Sequence, residues 1–382
     1  MRCGASMREI YVDHAATTKL DVEAFEAMKP WLLGEYGNAS GMYSFSRKPK
    51  RALQEARETI AACINALPDE IYFTSGGTES DNWAIKGMVI SCKKDQAIVT
   101  SAIEHHAVLH SCKYVESLGH PVSYILPRKD GVVTREILEE RMPKDTFMVS
   151  VMLANNEIGT IQPVKDLSAT AHAHGAIFHT DAVQAMGHVE IDVNKLNIDM
   201  LSASAHKFNG PKGIGFLYVR RGIKLSPYLN GGPQENGLRA GTENVAGIVG
   251  MAVALKKNIA SIKRTQRYLK NLEQRFLQKL NDNNIAFIRN GGNEILPGLI
   301  SLSFEGKDGE AILHRMDLMG ISISTGSACN SRSTQISHVL RAILLPEELA
   351  KGTIRISLGN DNTEDDVDAI VVALRKILSI PL

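Results

Sequence analysis

The sequence lacks most of the features that would assign it to a membrane, fibrous or nucleic-acid-binding class. Its 382 residues carry 43 Lys and Arg against 42 Asp and Glu, so no excess charge of one sign favours nucleic acid or an anionic membrane surface. We find no low-complexity segment, no secretory signal near the start, and no apolar run approaching the roughly 18 residues of a membrane span. We therefore expect a globular protein with no membrane association and no direct nucleic-acid partner.

Cysteine is also scarce. The five cysteines are irregularly spaced, and no two of them form a Cys-x-x-Cys pair. Disulfide frameworks and structural zinc sites need regular or closely spaced cysteines, so we predict reduced thiols, a cytoplasmic location and no bound metal. His172 and His174 do not change this prediction, because residues two apart on a helix face different sides.

What the sequence does contain is an alternation of short β-branched runs with amphipathic segments. Buried strands are predicted at 71–74, 97–100, 147–152, 177–180, 200–204 and 215–219. Helices are predicted between several of them, at 78–92, 106–118 and 164–174. This alternation predicts an α/β fold with a mainly parallel, doubly wound sheet covered on both faces.

The remainder of the chain has a different pattern. A long helix is predicted over 244–281, and it leads to an α+β region. That region has predicted strands near 300–304, 321–324 and 353–357, and predicted helices over 309–319 and 363–378. We predict a large domain over 17–255 and a smaller α+β domain formed by 1–16 and 256–382.

Two of the predicted strands end in residues that suit an aldehyde cofactor. Lys207 could form a Schiff base, and Ser204 and His206 beside it could donate to a phosphate. Asp181 could pair with a protonated ring nitrogen, and Gln184 lies one turn further on. Each residue also has an ordinary explanation, Lys207 as a surface lysine and Asp181 as a helix N-cap.

Three further strand ends carry polar groups. The segment Ser75-Gly-Gly-Thr-Glu-Ser80 joins a strand to a helix, where small residues and a helix N-terminus favour a phosphate. His105 could stack on a flat ring and move protons, and Asn156 lies in a polar turn. Taken singly, these are a Gly-rich turn, a structural histidine and a turn. Because open α/β sheets gather such ends in one crevice, together they predict a cofactor site.

Cys329 lies in a Gly- and Ser-rich segment over 323–335. We predict a mobile loop that could carry its thiol to a cofactor and away again. An exposed thiol has a pKa of about 8.5 and is partly thiolate at neutral pH. An exposed cysteine in a linker is the alternative. Arg355 has a planar fork that suits an amino-acid carboxylate, although it could be an ordinary surface arginine.

These motifs resemble those of the cysteine desulfurases of the NifS/IscS type, in the class V aminotransferase group of fold-type I pyridoxal 5'-phosphate (PLP) enzymes. The resemblance runs from Tyr11 to the final helix, through SGGTES, EHHAVL, NNEIG, DAVQ, SAHKFNGPKGIG, LRAGTEN and STGSAC. It implies an enzyme that removes sulfur from L-cysteine, giving L-alanine and a persulfide on Cys329. A related aminotransferase, a selenocysteine lyase and a non-catalytic sulfur-assembly scaffold are the alternatives.

The resemblance also implies roles for the catalytic residues. Lys207 would bond the cofactor aldehyde and remove the substrate α-proton. His105 would stack on the ring and move protons, and Cys329 would attack the substrate sulfur. The persulfide would then pass to an acceptor protein such as an iron–sulfur scaffold or a sulfur carrier.

The other matched residues would bind the cofactor and the substrate. Asp181 would pair with the ring nitrogen and Gln184 with the ring hydroxyl, while Asn156 and Arg355 would hold the substrate carboxylate, Asn156 lying against the cofactor as well. Thr242 would reach the phosphate of the partner subunit, so the resemblance implies a homodimer. Within one subunit, the phosphate would be held by Gly77, Thr78, Ser204 and His206.

Overall fold

A computed structural model of the protein describes residues 9–90, 92–93, 95–325 and 336–379. Its strands are β1 (Ile10–Tyr11), β2 (Ile71–Thr74), β3 (Ala97–Ser101), β4 (Val122–Ile125), β5 (Thr146–Ser150), β6 (Ile177–Asp181), β7 (Met200–Ser204), β8 (Gly215–Val219), β9 (Ile288–Asn290), β10 (Leu299–Ser303), β11 (Ile321–Ser322) and β12 (Thr353–Ser357). Its helices are α1 (Val22–Leu33), α2 (Arg47–Cys63), α3 (Gly77–Val89), α4 (His106–Ser117), α5 (Arg135–Arg141), α6 (Val164–Ala173), α7 (Val245–Asp282), α8 (Gly309–Asp317), α9 (His338–Ala342), α10 (Glu347–Lys351) and α11 (Glu364–Leu378).

The central sheet has seven strands in the order β2-β8-β7-β6-β5-β3-β4. β7, β6, β5, β3 and β4 pair in parallel, whereas β8 runs antiparallel to both of its neighbours, β7 and β2. β8 therefore runs opposite to the other six strands, whose carboxyl ends lie along one edge. The mainly parallel sheet predicted from the sequence is confirmed.

Both faces of this sheet are covered. Consecutive residues along β3 and β7 enter different hydrophobic clusters: Ile98 and Met200 enter one, Val99 and Leu201 the other. Successive strand residues point to opposite faces, which explains the division. The first cluster is completed by α3 and α4, and the second by α2, α6 and the first half of α7. The sheet is thus doubly wound, as predicted.

The second half of α7 contributes to a separate core. Leu272 and Phe276 pack there with Ile10 and Val12, with α8 and α11, and with the three-stranded antiparallel sheet β12-β10-β9. These elements correspond to the predicted α+β region. The proposed domain limits, 17–255 against 1–16 with 256–382, stay a prediction.

α7 is also long and apolar enough to cross a membrane by length and composition, with a mean hydropathy of 1.5 over its most apolar 18 residues. Half of that window is buried inside the protein, as in the core helix of a globular fold. The sequence had indicated no such stretch, because Lys256 and Lys257 interrupt the apolar residues.

The largest differences from the predicted elements lie at strand ends. The strand predicted over 147–152 ends at Ser150, and the Met152 N–H donates to a side chain, Glu104 Oε1 (2.9 Å). The strand predicted over 321–324 ends at Ser322, and Ser324 forms an isolated bridge with Arg355. The short elements β1, β4, β9, α5, α9 and α10, like α1 and α2, were not predicted.

The second core generates a stability prediction. Phe276 is 1% exposed, so Phe276→Ala should lower the free energy of unfolding by about 3–5 kcal/mol through lost burial and a residual cavity. Urea unfolding followed by circular dichroism measures this change. The matched control is Phe25→Ala, because Phe25 is 43% exposed on α1. Equal losses in the two variants would contradict the assignment of Phe276 to a core.

Candidate active site

The aligned ends of β2, β3, β5, β6 and β7 open into a cavity of about 340 Å³. That volume lies in the range typical of small-molecule sites. Of the twelve residues singled out from the sequence, ten line this cavity: Gly77, Thr78, His105, Asn156, Asp181, Gln184, Ser204, His206, Lys207 and Arg355. The crevice expected at the strand ends is therefore present, and these side chains meet in it.

Lys207 is held in the cavity by the N-terminal segment. Its Nζ donates to the carbonyl oxygens of Ala15 (2.5 Å) and Ala16 (2.8 Å). Gln184 Nε2 donates to the same Ala15 oxygen at 2.7 Å. The lysine is therefore directed inward by backbone carbonyls from a segment nearly 200 positions away in the sequence. Lys207 is not an ordinary surface lysine.

The start of α3 forms a cradle suited to an anion. Gly76, the N-cap, offers no side-chain hydrogen bond to the first turn, so backbone N–H groups there remain available to a ligand. A Cβ on Gly77 would lie 2.4 Å from Cγ2 of Val183, so a larger residue would not fit. Ser204 and His206 line the same cavity, and His206 Nδ1 lies 3.1 Å from the Thr17 hydroxyl.

His105 is a neutral imidazole of defined tautomer. Burial, together with the nearby charge of Lys207, lowers its pKa to about 4. The Ala107 backbone N–H donates to His105 Nδ1 at 3.1 Å, so the remaining ring proton is on Nε2. The ring therefore offers an uncharged surface and one N–H donor at neutral pH.

Asp181 shares the cavity with a second carboxyl group, that of Asp81. Both are buried, and burial raises both pKa values; the charge of Asp181 raises the pKa of Asp81 further. One atom each from Asp81, Asp181 and His105 lie within 4.8 Å of one another, close enough to hold a metal ion. The absence of metal expected from the sequence thus stays a prediction. Asp181 Oδ1 also accepts from the Val183 N–H at 2.8 Å, which defines a turn rather than a helix cap.

Arg355 is buried and partly paired. Its Nη2 donates to Asp13 Oδ1 at 2.7 Å and its Nη1 to the Asn156 carbonyl at 2.8 Å. Its Nε has no partner among the described residues. A guanidinium that is fixed by two partners and lines the cavity can attract a carboxylate there. Arg355 is therefore not a surface residue.

Two predicted residues are not part of this cavity. Thr242 is exposed in the connection between β8 and α7 and does not line it. Cys329 lies outside the described residues. Sequence reasoning also missed Asp13 and Asp81. Asp81 follows Thr78 by three positions in α3, and that helical spacing would have placed it on the same face.

A family model and a known relative match nearly the whole chain. The family model, described as Aminotransferase class-V, matches residues 10–370. A protein named Cysteine desulfurase IscS, from Dictyoglomus turgidum, is 47% identical over 373 residues, which is 97% of this chain and 95% of the relative.

Solved structures give the same result. A NifS-like protein has a TM-score of 0.92 and 37% identity, covering 97% of this chain and 100% of that one. A structure of SspA in complex with cysteine has a TM-score of 0.81 and 38% identity, with coverage of 91% and 98%. The similarity therefore extends over the cavity as well as the core.

The electrostatics of His105 generate a pH prediction. In histidine-labelled protein, the His105 ring should titrate by NMR with a midpoint of about 4. An unfolded chain titrates near 6.5, so folding stability should fall as the pH drops from about 6.5 to 4, because only the unfolded state takes up the proton. His105→Gln assigns the signal and should reduce that loss. A midpoint at or above 6.5 would contradict the buried, neutral ring.

Proposed function

This chain belongs to the class-V aminotransferase family, and on that premise we propose that it is a cysteine desulfurase. It would use PLP to remove the sulfur of L-cysteine, release L-alanine and retain the sulfur as a persulfide on Cys329. The observation that carries this proposal is the meeting of an inward lysine, a buried aspartate, a neutral imidazole and an open helix N-terminus in one cavity.

The cavity residues fit PLP group by group. The backbone at Gly77 and Thr78, with Ser204 and His206, would hold the phosphate. Asp181 would pair with the ring nitrogen, Gln184 would lie toward the ring hydroxyl, and the neutral face of His105 would stack on the ring. When bound, PLP supplies an aldehyde that reacts with amines and a ring that accepts electrons released at the substrate α-carbon.

Lys207 would act twice. Its Nζ, directed inward by the Ala15 and Ala16 carbonyls, is positioned to bond the aldehyde. Released from the aldehyde, the same nitrogen would serve as the base for the substrate α-proton.

Arg355 would orient the substrate. Arg355 lines the cavity and is held between Asp13 and Asn156, so its positive charge would face the substrate carboxylate. Because two partners already fix the guanidinium, little side-chain entropy is lost on binding. Holding the carboxylate in one place would also direct the substrate sulfur to a fixed side of the cavity.

Cys329 would receive the sulfur. Its thiolate forms an S–S bond with the substrate sulfur as the bond from that sulfur to the substrate β-carbon breaks. The bonding pair stays with the carbon, which takes up a proton and leaves as part of alanine, so no external oxidant or reductant is required. The described cysteines Cys63, Cys92 and Cys112 suit this role poorly, because burial raises the pKa of each thiol.

We also propose a homodimer and a protein acceptor. The α1 helix and the residues after it expose several large apolar side chains, Leu33, Tyr36 and Met42 among them, and such a surface is typical of an interface. Thr242, exposed and outside its own cavity, would then contact the partner subunit's phosphate. The persulfide would pass to an iron–sulfur scaffold or sulfur carrier by the same attack of sulfur on sulfur, in the cytoplasm.

The central experiment is mass spectrometry of the purified, PLP-loaded protein after incubation with L-cysteine. We expect one added sulfur atom on Cys329 and formation of alanine. Cys329→Ala should retain PLP but gain no sulfur, whereas Cys92→Ala, the matched control, should behave as wild type. Lys207→Ala should retain no borohydride-reducible PLP adduct and form no alanine.

The alternative functions give different results in that experiment. A PLP-loaded wild type that gains no sulfur would indicate an aminotransferase or another lyase. A large preference for selenocysteine over cysteine would indicate a selenocysteine lyase. A protein that cannot be loaded with PLP would favour the hypothesis of a non-catalytic sulfur-assembly scaffold.

The dimer has its own test. Sedimentation equilibrium should give twice the chain mass of 41.7 kDa. Tyr36→Glu combined with Met42→Glu should shift the mass toward one chain, because two buried charges would oppose association. Leu118→Glu, at another exposed leucine, is the control. A monomeric wild type at micromolar concentration would refute the dimer.

A further inference from the structure

Asp81 is a buried acid to which the proposed desulfurase reaction assigns no role. It lies one helical turn after Thr78 in α3 and faces the same cavity. Its side chain is 1% exposed, and one of its oxygens lies within 4.8 Å of an oxygen of Asp181. A second carboxyl group this close to Asp181 needs a physical explanation.

Two negative charges are not compatible with these surroundings. Four titratable or charged groups surround the pair. His179 lies on β6, Glu104 and His105 precede α4, and Lys207 follows β7. Both histidines are held neutral by burial, and Glu104 is itself a buried acid. Lys207 is the single cation of that set, and it acts on Asp181. Two ionised carboxylates would therefore repel each other in a site of low polarity.

A hydrogen-bond chain behind Asp81 supplies a donor to one side of it. Buried His179 contacts the Ser150 hydroxyl through Nδ1 (2.9 Å) and the Ser202 hydroxyl through Nε2 (3.1 Å). The Ser202 hydroxyl in turn hydrogen-bonds Asp81. A neutral imidazole has one N–H, so when Ser202 donates to Asp81, His179 donates to Ser202 and accepts from Ser150.

One oxygen of Asp81 takes no part in these hydrogen bonds. Oδ1 has no hydrogen-bond partner among the described residues, and its approach to His179 Nε2 is 3.8 Å, beyond hydrogen-bond distance. A buried carboxylate oxygen without a donor is costly, whereas a protonated carboxyl group is itself a donor. The neighbouring acceptor in the cavity is Asp181.

We propose that Asp81 is a neutral positioning residue that carries a proton and shares it with Asp181, so that the pair bears one negative charge. The two oxygens lie within 4.8 Å of each other, and the last torsion of an aspartate side chain is broad, so the carboxyl groups are close enough to turn toward one another. This inference rests on the proposed function, because its purpose is to keep Asp181 ionised opposite the ring nitrogen of PLP.

The proposed hydrogen bond from Asp81 would counter the tendency of buried Asp181 to be protonated. The Val183 backbone N–H donates to Asp181 Oδ1. Burial favours the protonated form of such a carboxyl group, and a protonated Asp181 would not pair with a pyridinium. A donated hydrogen bond from Asp81 stabilises the ionised form of Asp181 and fixes the direction in which it points.

The first test compares Asp81→Asn with Asp81→Leu. Asparagine keeps a neutral N–H donor of the same size, whereas leucine keeps the volume and removes the donor. PLP affinity is measured by titrating each apoprotein with PLP and following cofactor absorbance. The PLP affinity of Asp81→Asn should lie within about threefold of wild type. That of Asp81→Leu should be about tenfold weaker, which corresponds to the loss of one hydrogen bond to a charged group. Asp145→Asn, an exposed position outside the cavity, is the control.

The second test needs no cofactor. Infrared spectra of the apoprotein at neutral pH should contain the C=O band of a protonated carboxylic acid, and Asp81→Asn should remove intensity from it. The Asp81→Asn apoprotein stays informative even where Asp81→Leu fails to fold. The proton is thus tested separately from PLP binding.

Three results would overturn the inference. Asp81→Asn binding PLP as weakly as Asp81→Leu would show that a negative charge is required at this position. An unchanged infrared band in Asp81→Asn would show that Asp81 is ionised. One equivalent of metal in the purified protein, lost in Asp81→Asn, would make Asp81 a ligand. A wild type that binds no PLP would instead refute the proposed function, and the infrared result would still decide the state of Asp81.

Discussion

The direction of the strands is the constraint on which the rest of the structure depends. Six strands of the central sheet end at one edge, and the connections that follow β2, β3, β5, β6 and β7 deliver polar residues to the same cavity. Parallel strands require crossover helices, so the helix N-terminus of α3 arrives at that edge together with the side chains. A cavity with a lysine, a carboxylate and an anion cradle follows from the topology, without any one residue having to reach far.

Burial then sets the chemistry of that cavity. Charged groups lose hydration there, so His105 and His179 are neutral and the acids have raised pKa values. The same loss of water strengthens each remaining interaction, which would favour the proposed pairing of Asp181 with a ring cation. In this cavity, a few charged groups are therefore surrounded by buried histidines and acids whose neutral forms are favoured.

The N-terminal segment ties the two cores together at the cavity. β1 pairs with β11, Asp13 binds Arg355, and the carbonyls of Ala15 and Ala16 accept from Lys207. A short stretch of chain therefore touches the second core, the proposed carboxylate site and the proposed reactive amine. Any shift of one core against the other would change the distance between Lys207 and Arg355, which is a reason for this stretch to be well packed.

The sequence by itself determined the class of fold and most members of the cavity, because β-branched runs and strand-end residues such as Lys207 and Asp181 are local signals. It predicted the main helices and strands well but missed β4 and extended the strand ending at Ser150, because strand ends depend on hydrogen bonds to distant groups such as Glu104. Only the tertiary structure brought Asp13 to Arg355 and Asp81 to Asp181. Those pairs join residues separated widely along the chain, and no local pattern records which acids will be buried together.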